Sequence, residues 1–176
     1  FGNSESHWPQ FSGDGRFIIY QHFEPGETTS LWRVPIEGGT PAKVTEGFAA
    51  RPAISPDGQR LGFWQNDAQP NTRWKLAVFS LEKGTLISSF DVAATVHVNW
   101  DAVLRWSADG RSLTYVNNLA GVENVWGQPI DGGPAKQLTN FADNRILSMD
   151  WSRDGHLVAS RGVVTSDVVL ITDADQ

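Results

Sequence analysis

The chain of 176 residues contains no cysteine, one methionine, two tyrosines and only 14 basic residues against 20 acidic ones. Without cysteine there is no disulfide, no thiolate nucleophile and no cysteine-based zinc site. The absence does not choose a compartment, because a protein without disulfides can reside anywhere. No apolar run approaches the roughly 20 residues that span a bilayer, and no basic-then-apolar signal segment opens the chain, so no membrane contact is expected of this segment. The formal charge of −6 is uneven, with −1 on residues 1–88 and −5 on residues 89–176. An acidic second half repels phosphate backbones and argues against nucleic-acid binding.

What is present is a core-forming composition, 40% apolar and 11% aromatic, and a repeat. The phrases "FSGDGRFIIY" (11–20), "ISPDGQRLGF" (54–63), "WSADGRSLTY" (106–115) and "WSRDGHLVAS" (151–160) share one form. Each is a large apolar residue, Ser, any residue, Asp-Gly and an apolar-rich run. The aspartates Asp14, Asp57, Asp109 and Asp154 are spaced by 43, 52 and 45 residues. A second phrase follows three of them, "LWRVPIEGGT" (31–40), "LAVFSLEKGT" (76–85) and "VWGQPIDGGP" (125–134), and the last copy ends in "VVLITDADQ" (168–176).

Each unit reads as four strands: one before the Ser, one after Asp-Gly, one in the "LWRVPI" segment and a shorter one such as "PAKVT" or "AKQLT". No stretch of 10 residues carries a capped helical stripe. Four strands per unit, repeated at intervals of 43–52 residues, predict an all-β propeller of four-stranded antiparallel blades, over about 7–46, 50–92, 102–140 and 147–176 as a single segment. The Asp-Gly pairs (Asp14-Gly15, Asp57-Gly58, Asp109-Gly110, Asp154-Gly155) are then turn residues, with Asp bonding local backbone and Gly at positive φ. Calcium binding is the sharper alternative, but each copy offers one carboxylate where a calcium loop needs several.

These phrases, with the "KVT" and "QLT" endings, resemble the TolB-like (WD40-like) propeller repeat, and the resemblance runs over essentially the whole chain. That repeat occurs in periplasmic TolB, in propellers of prolyl-oligopeptidase-like and tricorn-like peptidases, and as the C-terminal region of bacterial transmembrane Ser/Thr kinases and winged-helix regulators. The ending "WSRDGHLVASRGVVTSDVVLITDADQ" is most similar to the last type. The resemblance implies an extracytoplasmic setting and a larger signalling protein. With its last blade incomplete, the segment is expected to be the final arc of a larger ring or to be completed by pairing of two copies, a homodimer through open blade edges.

Trp106 and Trp151 share one column of the repeat and Trp32 and Trp126 another, which points to blade-to-blade packing. No Gly-x-Ser-x-Gly nucleophile elbow occurs, and His7, His22, His97 and His156 form no metal-ligating pattern. Asp143 and Asp150 are read as solvated acidic surface, with the flank of a shared pocket as the alternative. No catalytic residue, cofactor site or metal site is assigned, and the expectation is a non-catalytic module for a protein or small ligand. The alternatives are the gating propeller of a serine peptidase and a TolB-type scaffold. Recognition is expected in the connections between blades, the longest of which holds "VHVNWDAV" (96–103). Trp100 and Asp101 are therefore the first candidates for a contact patch, with Arg51 and Arg145 in the matching connections.

Overall fold

In a computed structural model the chain is described over residues 4–66, 73–93, 95–96, 98 and 103–165. These residues form fourteen strands and no helix. The first sheet comprises β1 (Glu5–Phe11), β2 (Phe17–Phe23), β3 (Ser30–Pro35) and β4 (Ala42–Lys43). The second comprises β5 (Phe48–Ile54), β6 (Arg60–Asn66), β7 (Lys75–Ser80) and β8 (Thr85–Asp91), and the third β9 (Leu104–Trp106), β10 (Ser112–Leu119), β11 (Val122–Pro129) and β12 (Lys136–Gln137). Of the fourth, β13 (Arg145–Trp151) and β14 (Leu157–Gly162) are described, while the expected third strand from 168 lies outside the described residues. Each sheet is an antiparallel meander in chain order. The first strands stand side by side, β1 against β5, β5 against β9 and β9 against β13, so they form the inner row of an arc of blades.

The Asp-Gly turn works as a small hydrogen-bonded knot. Ser12 Oγ donates to Asp14 Oδ1 at 2.6 Å and accepts from the Phe17 N–H at 2.9 Å, while Asp14 Oδ1 also accepts from the Arg16 N–H at 3.0 Å. Gly15, at φ +68°, donates its N–H to the Ser12 carbonyl at 2.9 Å. The same set recurs at Ser55 and Asp57 and at Ser107 and Asp109. The fourth turn differs. Ser152 Oγ accepts from the His156 N–H, one residue earlier than in the other copies, so Leu157 stands opposite Trp151 where Leu113 stands opposite Trp106. The one-residue deletion restores the inward face after the shorter turn, which is why Val158 is 65% exposed.

The fourth strand is not uniformly short, as the sequence suggested. β8 has seven residues and pairs along the length of β7, whereas β4 and β12 have two each. Pro41 and Pro134 flank the short ones and lack the N–H a ladder needs; the "KGTLISSF" run has no proline. The recurrent Thr of the "KVT" and "QLT" endings ties these short strands down, since Thr45 Oγ1 accepts from the Leu31 N–H at 3.0 Å and Thr139 Oγ1 from the Val125 N–H at 2.9 Å.

Apolar clusters fill the gaps between successive blades. Ile19 and Leu31 meet Leu61 and Phe63 between the first two, and Trp64, Leu76 and Val78 meet Leu104, Leu113 and Tyr115 between the next. The tryptophan column crosses these gaps: Trp106 Nε1 donates to the Ala53 carbonyl at 2.9 Å and Trp151 Nε1 to Thr114 Oγ1 at 3.0 Å. The other column behaves less uniformly. Trp32 bonds Ser30 in its own strand at 2.9 Å, while Trp126 packs against the second cluster with its buried indole N–H unbonded. At the turn end the blades approach through glycine. A Cβ on Gly13 would lie 2.2 Å from the Gly58 Cα, and one on Gly62 would lie 2.4 Å from Leu113 Cδ2.

Candidate binding cleft

The inner strands of the first two blades each carry a bulge, in β1 between His7 and Gln10 and in β5 between Ala50 and Ala53. At each bulge a bulky residue adopts left-handed backbone geometry, Trp8 at φ 52° and Arg51 at φ 58°. Both stand six residues before the aspartate of their own turn, the same repeat position. Such geometry costs about 1–3 kcal/mol for a residue with a side chain and persists only where the surroundings enforce it. Here two contacts do so. The Arg51 N–H donates to Gln21 Oε1 at 3.0 Å, and the Arg51 guanidinium carbon lies 3.6 Å from the centroid of the Trp8 ring.

The two distorted residues flank an open cleft of about 310 Å³ at the end of the blades opposite the Asp-Gly turns. Its walls are aromatic: Trp8, Phe23, Phe48 and Trp74, the last two edge to face with centroids 5.3 Å apart. Gln21 and Thr29 line it as buried polar groups, 9% and 8% exposed. Glu5 and His7, paired at 3.1 Å, and Arg51 are the ionisable side chains of the lining. Apolar walls with a few fixed polar groups are the composition of small-ligand sites.

A second cleft, about 510 Å³, lies at the turn end between Asp14 and Asp57. Its two aspartates are already committed to the turns. The Ser12 hydroxyl and the Arg16 N–H hold Asp14 below the ordinary carboxylate range, and Ser107 with the Arg111 N–H do the same for Asp109. Burial pushes Asp57 upward, but bonds from Ser55, the Gln59 N–H and Arg60 outweigh it and leave its pKa lowered. In both Asp14 and Asp57, Oδ1 accepts two turn hydrogen bonds, which accounts for these carboxylates by the turns themselves.

The sequence-derived candidates divide. Trp100 and Asp101 lie outside the described residues. Arg51 and Arg145 are not in connections, as the sequence reading placed them, but within β5 and at the start of β13, because the inner strands begin earlier than the turn phrase implied. They do not form one patch. Arg51 belongs to the gap between the first two blades, whereas Arg145 Nε contacts Glu123 Oε1 at 3.1 Å in the gap between the last two. Glu123 Oε2 also accepts the Ile146 N–H at 2.7 Å, so this pair clasps one blade to the next. Asp143 and Asp150 do not share a pocket either; Asp143 pairs with Arg161 at 2.8 Å and Asp150 with Arg105 at 3.6 Å.

One arrangement has the elements of a triad: Ser6 Oγ lies 3.1 Å from His22 Nδ1, and His22 Nε2 lies 3.9 Å from Glu24. The carboxylate is beyond hydrogen-bond reach, and Ser6 sits in a paired strand opposite His22 rather than on an elbow with backbone donors. Among the described residues no group of three His, Cys, Asp or Glu could hold a metal.

No family model matches the chain. Solved structures do. TolB from Acinetobacter baumannii superposes with a TM-score of 0.67 at 18% identity, over 89% of this chain and 37% of that one. The fold is a β-propeller. The propeller domain of the trilobed protease from Pyrococcus furiosus, described as an open-velcro topology, matches with a TM-score of 0.58 at 18% identity, over 86% of this chain and 46% of that one. By sequence, the propeller is similar to a tricorn protease homologue of Streptomyces coelicolor, 29% identical over 94 residues that make up 51% of this chain and 9% of that protein. It is also 25% identical over 178 residues to dipeptidyl-peptidase 5 of Aspergillus fumigatus, covering 83% of this chain and 24% of that protein. The chain therefore spans less than a quarter of the length of these peptidases.

Arg51 was a candidate from the sequence, whereas Trp8 and its pairing with Arg51 were not, although a signal for the pair exists. Aligning the copies on Asp-Gly puts the two residues in one column, where the other copies carry Val103 and Ser148. Nothing in that column shows that the two side chains stack on each other, because stacking depends on a left-handed backbone that neither residue type favours.

Proposed function

We propose that this propeller segment is a non-catalytic recognition module whose ligand enters the cleft between the first two blades. The observation that carries this reading is the pair of left-handed residues, Trp8 and Arg51, stacked at 3.6 Å beside an aromatic cavity. Strain held by a hydrogen bond and a cation–π contact is characteristic of ligand clamps. The rigid blades would hold the cleft in shape, so that binding needs little reorganisation. In this reading the segment belongs to a larger extracytoplasmic sensor, a bacterial Ser/Thr kinase or winged-helix regulator, as the form of its repeats implies.

A second reading has its own support. The similarity to a tricorn protease homologue and to dipeptidyl-peptidase 5 favours the propeller of a serine peptidase, where the same cleft would select or steer substrates. A Ser-His-Asp hydrolase domain in the same polypeptide would decide for it; a TolB-type scaffold is the third form the module could take.

The test of the shared claim is a thermal-shift screen of a mixed peptide and metabolite library, with native mass spectrometry on the hits. The unmodified chain is expected to bind at least one compound that the Trp8→Ala variant loses. Compounds that stabilise both proteins alike would remove the cleft from the function.

A further inference from the structure

We infer that the cleft accepts an aromatic side chain presented by a peptide backbone, a refinement that rests on the recognition reading above. Three features of the site select this chemistry. The walls are flat aromatic surfaces, with Phe48 and Trp74 already meeting edge to face at 5.3 Å, and such walls favour a further ring in offset or edge contact. The size of about 310 Å³ is at the small end of the roughly 300–1,000 Å³ typical of ligand sites, enough for one or two residues rather than a large cofactor.

The third feature is polar. A backbone N–H can only donate, so the atom of Gln21 bonded to the Arg51 N–H at 3.0 Å is its oxygen, which leaves the amide nitrogen for another acceptor. Gln21 is 9% exposed and lines the cleft, and no described residue accepts from its amide nitrogen. Thr29, 8% exposed, gives its carbonyl to the Ala49 N–H at 3.0 Å, while its hydroxyl has no partner among the described residues. A donor and a hydroxyl on nine-tenths-buried residues of an aromatic cleft ask for a neutral group that accepts and donates, which a peptide unit does. A hydrocarbon would leave both unsatisfied. The lining offers no cation free of a neighbour for an anion, since the Arg51 guanidinium lies on the Trp8 ring at 3.6 Å and the Glu5 carboxylate stands beside His7. The ligand is therefore a neutral amide carrying a ring.

The experiment titrates the chain with three probes: acetyl-Gly-Phe-Gly-amide, acetyl-Gly-Ala-Gly-amide and toluene, followed by two-dimensional ¹H–¹⁵N NMR with the Gln21 side-chain amide assigned. The phenylalanine peptide should bind and shift the Gln21 amide, with the alanine peptide and toluene each about tenfold weaker. Thr29→Val, nearly isosteric and removing only the hydroxyl, should weaken the phenylalanine peptide by about 2–10-fold with an unchanged melting temperature. Equal binding of the alanine peptide, equal binding of toluene, or an unaffected Thr29→Val variant would each overturn the inference. If none of the probes binds while the library screen still yields a Trp8-dependent ligand, the peptide assignment falls and the recognition site stands. If both fail, the site falls with it.

Discussion

Substituting Gly13 by Ala should destabilise the propeller, and the sign of the effect makes the test decisive. Gly13 is the variable residue of "SGDG", and its backbone is outside the left-handed region that would demand glycine. Judged locally, Gly13→Ala should be neutral or stabilise by about 0.4–1 kcal/mol, since it reduces the freedom of the unfolded chain. The structure predicts the reverse. The added Cβ would lie 2.2 Å from the Gly58 Cα and 3.1 Å from its carbonyl carbon and oxygen. That is roughly 1.3 Å inside the ~3.5 Å carbon–carbon contact distance, and the obstacle is backbone, so no rotamer change relieves it. Overpacking of this kind costs about 1–3 kcal/mol, and at about 2–4 °C per kcal/mol for a chain of this size the melting temperature should fall by about 2–12 °C. Gly155→Ala is the control: its φ is +88° with nothing within 4 Å, so it reports left-handed strain without a clash. Urea unfolding followed by tryptophan fluorescence would supply both stability and m-value. A Gly13→Ala variant as stable as the original, or more so, would refute the contact between the two turns.

Trp106→Phe keeps a ring in the gap between the second and third blades but leaves the buried Ala53 carbonyl without its 2.9 Å donor, so it should cost about 1–3 kcal/mol in the same unfolding assay. Asp14, Asp57 and Asp109 all have folded pKa values below the ordinary range. Their contribution to stability is therefore present above the unfolded value near 3.9 and is lost as pH falls through the lower folded values. Urea midpoints measured from pH 7 down to pH 3 should fall most steeply at the acid end, and Asp109→Asn should flatten that slope; an unchanged slope would count against the turn hydrogen bonds.

The Trp8→Ala screen and the blocked-peptide titrations complete the set, and they address function where these three address the frame. An unaltered frame with an altered ligand profile would separate the two.

The Asp-Gly turns, the strand order and the all-β class could be read from the sequence because each rests on local chemistry repeated four times. Ser, Asp and Gly at fixed offsets suffice to close a turn, as the 2.5–2.6 Å Ser–Asp bonds at all four copies show. Alternation of apolar residues likewise assigns an inward face as long as the turn length is constant. Where one residue is missing, after Ser152, the alignment by Asp-Gly misplaces Val158, and only the strand register of β13 against β14 corrects it. The arginines show the same division. Arg51 and Arg145 look alike as cations ahead of a turn phrase, yet one is stacked on Trp8 and the other is clasped to Glu123. Those partners are 43 and 22 residues away along the chain and become neighbours only when successive blades pack. Local hydrogen bonding is written residue by residue in the sequence, while a site built between repeats depends on bulges and left-handed backbone that only the packed blades make stable.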